Sequence, residues 1–161
     1  MPLLKNGEII SDPWTLIEGE LPNPLSPNTI VPFASLSEMD IDAASQPLGV
    51  LFPCDQDIDA LKPFLSKLAL IALNFPAFKD GRAFSQARKI REQLKFTGEL
   101  RATGRMLSDQ YQFLIRTGFT TVALPETANI HSWQQAMNDF TEAYQPSILN
   151  EKRLSGLRWK V

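Results

Sequence analysis

The sequence predicts an α/β fold: four alternating β-α units on a parallel sheet, preceded by an N-terminal β-hairpin arm. Three observations predict it. Short apolar runs rich in Leu, Ile and Val alternate with stretches whose apolar residues recur at helical spacing. Each run is stopped by a proline or a glycine. The intervals between runs can hold crossover helices, which implies parallel neighbours and right-handed connections. Such units build either a flat doubly wound sheet or half of a (β/α)8 barrel, and sequence leaves that choice open. A half-barrel has open strand edges, which favours dimerisation or covering by the arm.

Residues 1–46 form the arm. Asn6-Gly7, between Leu3-Leu4 and Ile9-Ile10, suits a two-residue hairpin turn. Pro22, Pro24, Pro27, Pro32 and Pro47 make the next stretch an irregular, extended connection. Residues 47–146 form the α/β domain. Leu48 to Phe52 is the first buried strand, ended by Pro53. Ile58, Leu61, Phe64, Leu65 and Leu68 follow at helical spacing, with Pro63 starting or kinking the helix. Ala69 to Phe75 is the second strand, stopped by Pro76. Phe84, Ala87, Ile90 and Leu94 make an apolar stripe opposite Gln86, Arg88, Lys89 and Gln93. Glu99 to Thr103 is the third strand, ending at Gly104. Met106 to Arg116 reads as a helix burying Leu107, Phe113 and Leu114 and stopping at Gly118. Thr120 to Leu124 is the fourth strand. Ser132 to Gln135 has a capping-box pattern, followed by the stripe Trp133, Ala136, Met137 and Phe140. Residues 147–161 are a basic tail, read as a docking segment.

Composition removes several function classes. Of 161 residues, one is cysteine (Cys54) and one is histidine (His131). That excludes an intrachain disulfide, a multi-cysteine metal site and any zinc site with two imidazoles. No metal is expected. No glycine-rich nucleotide fingerprint follows a strand: Pro53-Cys54-Asp55-Gln56 follows the first, and a lone Gly104 ends the third. No cofactor is expected. The N-terminus lacks a signal pattern and the longest apolar run is too short for a membrane span, so a cytoplasmic protein is expected, without membrane or nucleic-acid partners. Net charge is -2, but unevenly spread. Residues 1–60 carry Lys5 against ten acidic residues, and residues 79–116 carry nine basic against four acidic. Such asymmetry either focuses an anion on the basic centre or lets the acidic arm cover it.

In either architecture chemistry sits at the carboxyl ends of the strands. Those ends deliver Cys54 and Asp55, then Asn74 with Phe78, Lys79, Asp80, Gly81 and Arg82, then Arg101, Gly104 and Arg105, then Glu126. An anion there would meet guanidinium forks and free backbone N–H groups. Arg82, Arg101 and Arg105 are therefore the candidate anion-binding residues, and Asp80 or Glu99 the candidate acid/base. Asn74, Phe78, Lys79, Gly81, Gly104, Asp109 and Gln110 are candidate supports. Plainer readings stand beside these. Asp80-Gly81-Arg82 also suits a turn with positive φ at glycine. Arg88, Lys89, Arg91 and Lys95 suit a solvated helix face. Glu99 and Arg101 share one strand face and suit a structural ion pair with each other or with Asp109. Asp109-Gln110 suits a brace for the Arg101–Arg105 turn. A catalytic role for Cys54 is disfavoured, and His131 reads as a surface residue.

Two blocks carry a resemblance. They are Phe75-Pro76-Ala77-Phe78-Lys79-Asp80-Gly81-Arg82 and Gly98-Glu99-Leu100-Arg101-Ala102-Thr103-Gly104, the second followed by Asp109-Gln110. Over roughly residues 48–124 the chain resembles the bacterial domain of unknown function 934. That family is labelled an oxidoreductase of sulfite reduction and is encoded beside sulfite reductase genes. The resemblance implies an accessory protein of assimilatory sulfite reduction, with sulfite reductase components as partners and a small oxyanion or acidic surface as ligand. Arg105 departs from the family, where an acid often stands, and Thr117 stands where a cysteine is common. Two alternatives remain. One is an enzyme on a small phosphorylated or sulfonated metabolite, with Asp80 or Glu99 as acid/base. The other is a structural homodimer joined through sheet edges.

Overall fold

The computed structural model describes residues 2–42, 44, 46–137 and 147–148. Its strands are β1 (Leu3–Lys5), β2 (Glu8–Ile10), β3 (Thr15–Leu16), β4 (Thr29–Pro32), β5 (Leu48–Phe52), β6 (Leu68–Phe75), β7 (Glu99–Gly104) and β8 (Thr121–Ala123). Its α-helices are α1 (Arg82–Glu92), α2 (Tyr111–Thr117) and α3 (Ile130–Ala136). The strands form one sheet in the order β2-β1-β8-β7-β6-β5-β4-β3. From β3 to β8 neighbours are parallel, and β1 pairs antiparallel with both β2 and β8. The sheet is mostly parallel and curls into half a barrel, with three α-helices among the described residues, which settles the choice left open between flat sheet and half-barrel.

Alternation along each strand divides the side chains between two faces. Val50, Phe52, Ile71, Leu73, Phe75, Leu100, Ala102 and Val122 join Ala87, Ile90, Leu114 and Trp133 from the helices in the main core. Ile30, Leu70 and Ala72 lie on the opposite, inner face, with Trp14 and Leu51 packed against them. Asn6 and Gly7 have φ of 50° and 81°, and the strands they join pair Leu3 with Ile10. The Tyr111 hydroxyl accepts the Gly7 N–H at 2.9 Å and ties this turn to α2.

The structure corrects several expectations. Residues 58–68 form no α-helix; they make two 3-10 turns, Ile58–Leu61 and Leu65–Lys67. Pro63 between them has no N–H to donate to a continuing helix. The connection after β5 is therefore not a full β-α unit. The arm is more regular than its prolines suggest. Thr29–Pro32 is a buried strand that pairs parallel with β5, and Pro32 sits at its end where a missing N–H is tolerated. The helix expected from Met106 starts as a 3-10 turn at Ser108–Gln110 and becomes α-helical only at Tyr111. Gly118 stops it at φ 108°, as expected. The last helix is capped by Asn129, whose side chain accepts from the Ser132 N–H, and not by Ser132. Phe140 and the basic tail beyond residue 148 lie outside the described residues.

Candidate functional site

The carboxyl ends of β5, β6 and β7 are joined by side chains that reach from loop to loop. Gln86 of α1 donates through Nε2 to the carbonyls of Pro53 (3.0 Å) and Gln56 (2.9 Å). It thereby holds the turn that carries Cys54. Gln86 was expected on the solvated face, yet it is buried, because two backbone acceptors satisfy its amide there. Its Oε1 is buried without a hydrogen-bond partner among the described residues. Gln110 works similarly between the next two loops. Its Nε2 donates to the Phe78 carbonyl at 2.8 Å, and its Oε1 accepts from the Leu107 N–H at 3.1 Å. The expected bracing role thus falls on Gln110. Asp109 beside it is exposed and is no partner of Arg101.

Asp80 and Arg82 form a closed unit at the start of α1. Arg82 Nη2 lies 2.6 Å from Asp80 Oδ2, Nε lies 3.0 Å from Oδ1, and the Arg82 N–H also donates to Oδ1. These bonds hold the Asp80 carboxyl down from its ordinary 3.8 to about 2. Gly81 between them has φ -85°, so the positive φ expected of it is not used. The Cys54 thiol sits 3.8 Å from Asp80 Oδ2. Burial pushes its pKa up, so it stays protonated at neutral pH and is a poor nucleophile. In an NMR titration of the carboxyl carbon, Asp80 should titrate near pH 2, and Arg82→Ala should move it up towards the ordinary carboxylate range, with the residue-82 N–H bond still holding it somewhat below. The sign follows from linkage. The pair stabilises the fold above the unfolded-state value and loses that stabilisation as pH falls towards 2. A midpoint that Arg82→Ala leaves in place would refute this pairing.

Arg101 lies elsewhere. It is three residues below Gly104 on β7, about 10 Å along the strand, and its side chain is on the inner face. It is only 3% exposed. Nη1 and Nη2 donate to both carboxylate oxygens of Asp12, at 2.8 and 2.9 Å. Nε donates to Glu99 Oε1 at 3.0 Å, and Thr121 Oγ1 donates to the same oxygen at 2.6 Å. The expected Glu99–Arg101 pair is present, and the acidic arm covers this part of the basic centre through Asp12. Nothing in the sequence marked Asp12, which is 89 residues from Arg101. Arg82, Arg101 and Arg105 share no partner: the first holds Asp80, the second Asp12 and Glu99. Arg105 and Lys79 are exposed and make no ion pair among the described residues.

Helix-face cations also divide. Arg88 pairs with Glu92 on the surface, whereas Arg91 is turned inward against expectation. Arg91 donates to the carbonyls of Gly118, Phe96 and Gly98. Asn74 is half-buried opposite Thr103, with its Oδ1 close to Gly104.

Three large apolar side chains stand in solvent at this same end. Phe78, Phe113 and Leu107 are 55%, 51% and 48% exposed. Leu107 and Phe113 were expected in the core. The 3-10 turn at 108–110 advances the helix phase, so Tyr111 and Thr117 are buried in their place, beside Leu114, which is buried as expected. The Phe113 ring lies 4.7 Å from that of Phe84. Among the described residues no three His, Cys, Asp or Glu side chains could hold a metal, and no helix is long and apolar enough to cross a membrane.

A family model described as a bacterial protein of unknown function (DUF934) matches residues 49–154. No curated protein and no solved structure matches the chain.

Proposed function

The chain belongs to the DUF934 family of bacterial proteins of unknown function, and on that premise we propose that it is an accessory protein of assimilatory sulfite reduction that docks an acidic partner surface. The sulfite-reduction setting comes from the family resemblance, and sulfite reductase components are the partners it suggests. The docking rests on one observation. Phe78, Leu107 and Phe113 are exposed, as are Lys79 and Arg105, cations that make no ion pair among the described residues. Exposed apolar patches with a charged rim mark protein interfaces, where aromatic and arginine side chains carry most of the affinity. Free cations on the rim select an acidic partner and speed its encounter. The departure of Arg105 from the family's acid makes this chain's rim more cationic.

A small-oxyanion reading is narrower on this geometry. Two of the three arginines already face carboxylates, which leaves Arg105 as the one of the three without an ion pair among the described residues. The enzyme reading is weaker too. A carboxyl held near 2 by Arg82 is poorly matched to general acid or base work at neutral pH. Glu99 is bound to Arg101 and Thr121.

The test is retention of sulfite reductase components by the tagged full chain. Wild-type protein should retain them, less so at high salt. Phe78→Ser/Arg105→Glu should lose retention about tenfold while keeping the wild-type melting temperature, since both residues are exposed. Cells carrying that variant should also grow poorly on sulfite as sole sulfur source. Unchanged retention by a folded variant would remove this face from the function.

A further inference from the structure

We infer that the inner face of the half-barrel is a docking groove for an extended peptide with a carboxylate two residues before an aromatic side chain, and that residues 12–16 occupy that groove as a tethered ligand. This groove is separate from the exposed aromatic face and does not depend on its role.

Three features of the strap are those of a recognised peptide. Its backbone adds a strand to the sheet edge: the Thr15 N–H donates to the Asn28 carbonyl at 2.9 Å and the Ile17 N–H to the Ile30 carbonyl at 3.0 Å. Strand addition of this kind supplies affinity, and alternate side chains supply specificity. Asp12 supplies the charge, taking both outer nitrogens of Arg101 in a two-pronged contact. Trp14 supplies the aromatic anchor, packed against Ile30, Leu70 and Ala72.

The receiving side is built independently of the strap. Glu99 and Thr121 orient the Arg101 guanidinium from within the sheet. Gly49 leaves the room that Trp14 fills. A Cβ at Gly49 would lie 3.1 Å from Trp14 Cζ3, 3.0 Å from Ile30 Cγ1 and 3.2 Å from Leu70 Cδ2. Gly49 has no positive φ, so space and not backbone conformation is what glycine provides there. The strap's hold is partial: the Asp12 side chain is still 24% exposed, and both residues of β3 are exposed. A tethered segment competes at an effective concentration of about millimolar, so a free peptide enters only when the strap is weakened or the free peptide binds better.

The probe is a fluorescein-labelled peptide, Ser-Asp-Pro-Trp-Thr-Leu-Ile, with the sequence of residues 11–17. It is titrated by anisotropy into full-length wild type and full-length Asp12→Ala/Trp14→Ala. The double variant should bind at least tenfold more tightly than wild type. Alanine at the peptide's Asp, or at its Trp, should each weaken binding about tenfold. These changes are made in the peptide, so they cannot act through the folding of the protein. If the double variant is unfolded, Trp14→Ala alone takes its place in the same titration. Absence of binding to a folded variant overturns the proposal, as does binding indifferent to the peptide's Asp and Trp. A wild-type chain that forms strap-exchanged dimers would also overturn it, by making a second copy the occupant.

Discussion

Arg101→Met should lower the unfolding free energy by about 3–5 kcal/mol, the largest loss expected from any single polar residue here. The reason lies in what the substitution leaves behind. Arg101 is nearly inaccessible and holds two carboxylates, Asp12 and Glu99. Without it, two negative charges face each other on the inner face with no cation between them. Removing one carboxylate is milder, because the other still neutralises the guanidinium. Asp12→Asn should therefore cost about 1–2 kcal/mol, and Glu99→Gln somewhat more, since Glu99 also accepts from Thr121. Urea denaturation measures the order. In the double variant Asp12→Asn/Arg101→Met, part of the Arg101→Met loss should return, because one of the stranded charges is gone. An Arg101→Met loss below about 1 kcal/mol would mean that the network is solvated and the inner face open.

The parts legible in the sequence were those set by local rules. β5, β6 and β7 announce themselves because each is an apolar or alternating run closed by Pro53, Pro76 or Gly104. Gly118 stops α2 because a left-handed residue is a local requirement. The Glu99–Arg101 pair follows from strand alternation alone. What stayed hidden depends on distant partners. Thr29–Pro32 is too short and too proline-flanked to read as a strand, and it exists because β5 offers it an edge. The Asp12–Arg101 contact joins residues 89 apart, and no spacing rule reaches that far. Phe113 and Leu107 look like core residues until three residues of 3-10 helix shift the phase of the turn that follows. Their exposure is the main functional clue, and only the phase of α2 reveals it.

Gly104 shows how tightly the strand ends and the proposed docking face are coupled, and Gly104→Ala should cost about 2–4 kcal/mol. Two effects add. The residue sits at φ 101°, where an L side chain costs about 1–2 kcal/mol. Its added Cβ would also lie 2.4 Å from the Phe75 carbonyl oxygen and 2.6 Å from Asn74 Oδ1. The first of these is backbone and cannot swing aside, so the strand end must move, at about 1–3 kcal/mol for such crowding. That same carbonyl accepts the Arg105 N–H at 2.8 Å, so the shift breaks the bond that seats Arg105. Leu107 follows in the same loop. A folded Gly104→Ala protein should thus retain the proposed acidic partner poorly even well below its melting temperature. Gly81→Ala is the matched comparison in the neighbouring loop. There φ is -85° and the nearest atom to a new Cβ is 3.9 Å away, so stability should stay within about 1 kcal/mol of wild type. Equal stability of the two variants would mean that β7 and its loop relax freely around Phe75, and the rigid placement of Arg105 and Leu107 would have to be abandoned.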